Sequence, residues 1–194
     1  MRTTKSLLTF ALLSVLLVAV SCGGKNNRDS KDTAEEQNDQ KYEDSDAERD
    51  TDFAVEAADG GMFEVQLGQL AVTSASSPQV KQFAQMMVDE HGKANEELKT
   101  LAQEKSITLP ATLSDKRMEK YNDLSKKSGN EFDEAYIDLM VKDHKDDIDK
   151  FKKEADKGND MAVAAWAAGK VPVLEHHLQM AQSAQETLKN NKNK

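Results

Sequence analysis

The chain has 194 residues, a formal net charge of -9 and a single cysteine. That balance argues against binding nucleic acid or anionic lipid through surface charge. One cysteine leaves no disulfide framework and no cysteine-built metal site.

The first segment reads as an address. Arg2 and Lys5 precede an apolar run from Leu7 to Val20, too short to span a bilayer comfortably. The run ends in "LVAVSCGG", where small residues at Ala19 and Ser21 before Cys22 resemble a bacterial lipobox. Residues 1–21 are therefore expected to be a lipoprotein signal peptide, and Cys22 the lipidated residue that ties the chain to a membrane. Gly23 rather than aspartate after the cysteine points to the outer membrane of a Gram-negative envelope by known sorting rules. From 22 to 50 the chain is acidic and nearly free of apolar residues, as in "DTAEEQNDQKYEDSDAERD". Such a composition predicts a disordered tether, about 30 Å from end to end as a random coil.

Residues 51–190 carry the folded domain. Helical periodicity predicts a first bundle helix from about Asp52 to Ala75. Ser77-Pro78 supplies an N-cap and a proline at the first helical position for a second helix reaching about Lys105. "SITLPATL" forms the longest connection, Ser114 caps a short extra helix, and "SGN" separates that from a third bundle helix ending at Lys157-Gly158. Asn130 is the expected cap of this third helix. Asn159 or Asp160 caps the fourth, which Pro172 is expected to bend. No alternating run predicts a strand. The class is all-α, a four-helix bundle with a short extra helix between bundle helices 2 and 3.

Each bundle helix carries one apolar or small stripe broken near its middle by an ionisable residue. In the first, Ala54, Ala57, Gly61, Gly68, Ala71 and Ala75 flank Glu64. In the second, Val80, Ala84, Met87, Ala94 and Leu98 flank His91. In the third, Ile137, Met140, Ile148 and Phe151 flank His144, with Asp133 earlier on the same stripe; in the fourth, Val163, Ala167, Leu174, Ala181 and Leu188 flank His177. His176 falls about 100° round the helix and is expected to face out. Measured from the connecting turns, Glu64 and His91 lie at similar heights, whereas His144 and His177 differ by about 7 Å. Asp89 and Asp143, two residues before their histidines, point some 200° away and are expected to meet solvent.

The segments "GMFEVQLGQLA", "VKQFAQMMVDEHGKANEEL", "ITLPATL", "SGNEFDEAYIDLMVKDHKDDIDKF" and "VPVLEHHLQMA" together resemble a bacterial family of predicted outer-membrane proteins, domain of unknown function 4142. The likeness covers roughly Asp52 to Leu188 and implies a ferritin-like four-helix bundle. The family's recurring polar positions fall on Glu64, His91, Asp133, Tyr136, His144 and His177, with the kinking proline at Pro172. Ferritin-like di-iron sites need a glutamate three residues before each ligating histidine. Val88, Val141 and Leu174 stand there instead, so ferroxidase chemistry is not expected.

Two readings of the ionisable set stay open. Glu64, His91, His144 and His177 form a plausible four-coordinate site for a transition metal such as zinc, copper or iron. Binding would weaken as pH falls through about 6.5. The other reading is a buried hydrogen-bond network in which Asp133 and Tyr136 take part, inside a structural, interaction or stress-protection module of the envelope. Met87, Met140 and Met180, each a turn from a histidine, would suit copper(I) but more commonly fill a core. Nothing points to an enzyme: no nucleophile has an adjacent base, and no glycine loop suits phosphate.

Overall fold

The structure, a computed structural model, describes residues 29–192 apart from 44 and 46. Residues 1–21 and Cys22, read above as signal peptide and lipidation site, lie outside the described residues. Six helices are present among the described ones: α1 (Ser30–Tyr42), α2 (Glu48–Ser74), α3 (Pro78–Lys105), α4 (Asp115–Ser125), α5 (Gly129–Lys157) and α6 (Met161–Lys192). The chain is an all-α bundle, with α2 packed chiefly on α3 and α5 on α6. None of these helices is long and apolar enough to cross a membrane.

The caps explain the boundaries. The Ser77 hydroxyl accepts from the Val80 amide, with Pro78 at the start of α3. The Ser114 hydroxyl accepts from the Arg117 amide to start α4. Ser128, not Asn130, holds the N-cap position of α5. Pro172 lies inside a continuous α6.

The expectation of a disordered tether over 22–50 fails at α1 and at the first turn of α2. Asp29 caps α1 by accepting from the Lys31 amide, and Ala34 and Asn38, one turn apart, are buried. The Asn38 side-chain amide pairs with the peptide of Thr108 both ways, donating to its carbonyl and accepting from its N–H, each at 2.8 Å. The Tyr42 hydroxyl donates to the Lys105 carbonyl at 2.7 Å, and Ser30 Oγ accepts from Ala111 N at 2.9 Å. A polar helix is thus docked by satisfying the backbone of the α3–α4 connection rather than by apolar area. Hydrophobicity gives no sign of such a contact. A chain starting at Ala47 should therefore melt below one starting at Gly23, with a loss of stability of about 2–4 kcal/mol if each of the four bonds counts for about 0.5–1. Equal melting temperatures would mean that α1 contributes nothing to the bundle.

Among the described residues the interior has two apolar clusters. The larger includes Phe63, Leu67, Phe83, Met87, Phe132, Tyr136, Ile137 and Met140. The smaller joins Ala54, Ala58 and Leu98, with Trp166 packed against it. In chain position His91 on α3 and His177 on α6 fall between residues of the two clusters, so polar groups separate them on those helices. Gly68 lets α2 and α3 approach at this end: a Cβ there would lie 2.8 Å from Val88 Cγ2 and 3.0 Å from the Ala84 carbonyl.

Candidate metal centre

All four mid-stripe residues meet. Glu64 on α2, His91 on α3, His144 on α5 and His177 on α6 are buried, His144 and His177 completely. Counted from helix ends, the turn at 158–160 reduces the offset between His144 and His177 to about 4.5 Å, and packing absorbs the rest. His176 is exposed, as its angle predicts.

The hydrogen bonds fix which ring nitrogen faces where. His91 Nδ1 lies 2.9 Å from Glu64 Oε2. His144 Nδ1 lies 2.9 Å from the Met140 carbonyl oxygen. His177 Nε2 lies 3.0 Å from Glu90 Oε2. Each outer nitrogen therefore meets an oxygen that only accepts, and must carry the ring's proton. The three remaining nitrogens turn inward: His177 Nδ1 is 3.2 Å from His91 Nε2 and 3.3 Å from His144 Nε2. One nitrogen from each of the three rings lies within 4.8 Å of the other two.

Three lone pairs facing one centre repel unless something positive lies among them. A proton does not fill that role at neutral pH. Burial pulls each of His91, His144 and His177 down to about 4, outweighing the nearby carboxylates, so the rings are neutral. Moving the proton of His177 to Nδ1 would serve only one inner pair and leave its Nε2 lone pair against the Glu90 carboxylate. Two imidazole nitrogens held about 2.0–2.1 Å from one tetrahedral ion stand about 3.3–3.4 Å apart, close to the two inner separations. In this arrangement Glu64 orients His91 through Nδ1 rather than joining the inward set. Its second oxygen, Oε1, is buried without a hydrogen bond among the described residues, 3.5 Å from a His144 nitrogen that the Met140 carbonyl engages. Burial pushes the Glu64 carboxyl up to about 6, against the opposing pull of His144.

Two residues of the polar set serve elsewhere. Asp133 accepts from the amides of Ser76 and Ser77 at 2.9 and 2.7 Å, which pins the α2–α3 turn about 16 Å along α5 from His144. It takes no part in a histidine network. Tyr136 stacks on Phe132 and meets Phe83 edge to face, and its buried hydroxyl has no hydrogen-bond partner among the described residues. Burial and the nearby Glu64 raise its ionisation well above the ordinary tyrosine range. The methionines are core: Met87 and Met140 lie within the larger cluster and Met180 packs against it.

Asp143 corrects the solvent-facing expectation. It is buried and holds Arg117 Nη1 at 3.2 Å. Arg117, itself buried, also reaches Asp59 and Glu56, each at 3.6 Å, and stacks on Phe63 at 5.0 Å. Asp59 in turn accepts from the Ser114 amide and hydroxyl at 2.8 and 2.7 Å. The short helix α4 thus covers the side of α5 that helical geometry alone assigned to water. Glu90 gave no signal in the sequence either, since it sits beside the stripe and is half in solvent.

A sequence model described as a domain of unknown function (DUF4142) matches residues 33–184. The chain belongs to that family. No curated protein and no solved structure matches the chain. The DUF4142 match begins inside α1, in keeping with that helix being part of the domain rather than a tether.

Proposed function

We propose that this protein binds one divalent transition-metal ion of the zinc or copper kind through His91 Nε2, His144 Nε2 and His177 Nδ1. The observation that carries the reading is that one nitrogen of each ring meets an acceptor oxygen, of Glu64, the Met140 carbonyl or Glu90, which leaves the other nitrogen of each ring with its lone pair inward. Metal-ligating histidines are held in this way, with the remote N–H given to a carboxylate or carbonyl that sets tautomer and basicity. Imidazole suits zinc and copper, and neutral rings bind without first losing a proton. A closed structural site would need a fourth protein ligand. Here a cavity of about 370 Å³ borders His91, His177 and Glu64, leaving room for an open position. The chain would work at the cell envelope, anchored by lipid on Cys22; the lipobox-like "AVSC" supports that placement.

Calorimetry of metal-stripped protein with zinc and copper(II) tests the site. Wild type should bind one equivalent with micromolar or tighter affinity, and His176→Ala should match it. The double variant His91→Ala, His144→Ala should show no binding while keeping its helical spectrum. At a hundredfold excess over Kd the ion should stabilise the fold by about 2.7 kcal/mol. Binding retained by the double variant would leave the histidines as a structural network.

A further inference from the structure

The lining of the cavity beside the histidines has two unlike parts. One is polar, formed by His91, His177 and Glu64. The other is a wall of Phe53, Phe151 and Trp166, whose ring centroids stand 4.9, 6.2 and 5.6 Å apart in pairs. Three large rings left half-buried around a space forgo contacts that a closed core would make. Ala57, Gly61 and Ala94, which also line the cavity, are small and keep the space open. Gly61 also brings Asn95 against the α2 backbone: a Cβ there would fall 2.0 Å from Asn95 Oδ1.

We propose that the cavity binds a small single-ring aromatic anion, a carboxylate or phenolate, with its ring on the Phe53–Phe151–Trp166 wall and its oxygen toward the histidine triad. This rests on the metal reading above, because the ion supplies the charge and the open position that the oxygen takes. Size limits the ligand: about 370 Å³ is near the lower end for small-molecule pockets, room for one ring and its substituent. Flat faces select flat ligands, since aromatic pairs gain beyond the area they bury. Charge selects an anion, and the metal ion supplies that charge. Of the lysines that line the cavity, Lys150 is paired with Glu56 at 2.9 Å and with Asp147 at 3.5 Å, and Lys170 with Glu97, its ammonium lying 5.9 Å from the Trp166 ring centroid. Of the lining carboxylates, Glu90 and Glu64 hold the outer nitrogens of His177 and His91. Burial pushes Asp147 up to about 7, which removes much of its negative charge near neutrality.

Trp166 is the single tryptophan of the chain, so its emission reports on the wall directly. Protein loaded with cobalt(II), a spectroscopic stand-in for zinc, is titrated with benzoate and separately with acetate. Benzoate should shift the cobalt visible band and change Trp166 emission together, with a Kd at least tenfold below that of acetate. Ala94→Phe, which fills the cavity, should weaken benzoate at least tenfold and leave cobalt binding intact. Ala57→Leu repeats that test should the first variant fail to load cobalt. Wild type that takes up no cobalt overturns the metal reading, and this inference with it. Cobalt uptake with no response to benzoate, a response equal to that of acetate, or one that the filled variants retain overturns the aromatic-anion inference alone.

Discussion

Arg117→Ala should cost about 3–5 kcal/mol of folding stability, the range for removing one partner from a buried ion pair. The guanidinium is the common counter-charge for Asp143, Asp59 and Glu56, and it lies over the ring of Phe63. Without it, buried Asp59 loses its cation and buried Asp143 keeps only Lys120, at 3.9 Å, in a low-dielectric interior. Asp59 would still hold the Ser114 amide and hydroxyl, so the start of α4 should survive as local structure while the bundle weakens. Arg117→Met restores the apolar stem and the stacking area but not the charge, so it should recover only part of the loss. Lys152→Ala makes the comparison: its ion pair with Glu175 is half in solvent, and its urea midpoint should stay within error of wild type. Equal midpoints for Arg117→Ala and Lys152→Ala would show that the buried cation does not hold this side of the bundle.

Glu64→Gln should lower metal affinity by about 10–100-fold, the usual consequence of altering the group that orients a ligating histidine. Glutamine can still accept from His91 Nδ1 but no longer carries the charge that makes the ring more basic. A competition titration against a chromophoric chelator reads the change. Wild-type affinity in the variant would mean that the Glu64 charge is irrelevant to the site. The same titration against pH separates the structure from the simple expectation of a midpoint near 6.5. Protons compete with metal for the ring lone pairs, and burial holds all three rings at about 4. Each ring's folded value lies below its unfolded one, so the folded state resists protonation until the pH is well under 6.5. Binding should therefore persist through pH 6 and fall as the pH nears the depressed values.

Much of the bundle was legible without coordinates because period 3.6 is a strong signal over long amphipathic helices. The stripes placed Glu64, His91, His144 and His177 on inward faces and His176 outside. Ser77-Pro78 and Ser114 named two helix starts through local chemistry that tertiary packing does not override. The family resemblance rested on the same residues. Failures arose where a contact lies far away in sequence. α1 is polar along its length, and only Thr108 and Lys105, brought near by folding, reveal why Asn38 is buried and Tyr42 is held.

The sequence by itself determined that the chain is helical, that four stripes each carry one ionisable residue, and that thiol chemistry is absent from the domain. Those are properties of spacing and composition, which need no knowledge of neighbours. Tertiary structure alone decided what the ionisable residues do to one another. Which nitrogen of each ring turns inward depends on acceptors supplied by other helices, Glu64 and Glu90, and by the preceding turn at Met140. Asp133 left the site because the amides of Ser76 and Ser77 claim its carboxylate, and Asp143 left the solvent because Arg117 on α4 covers it. A helical angle says which way a side chain points; only the packed neighbours say whether it meets water, a proton donor or another lone pair.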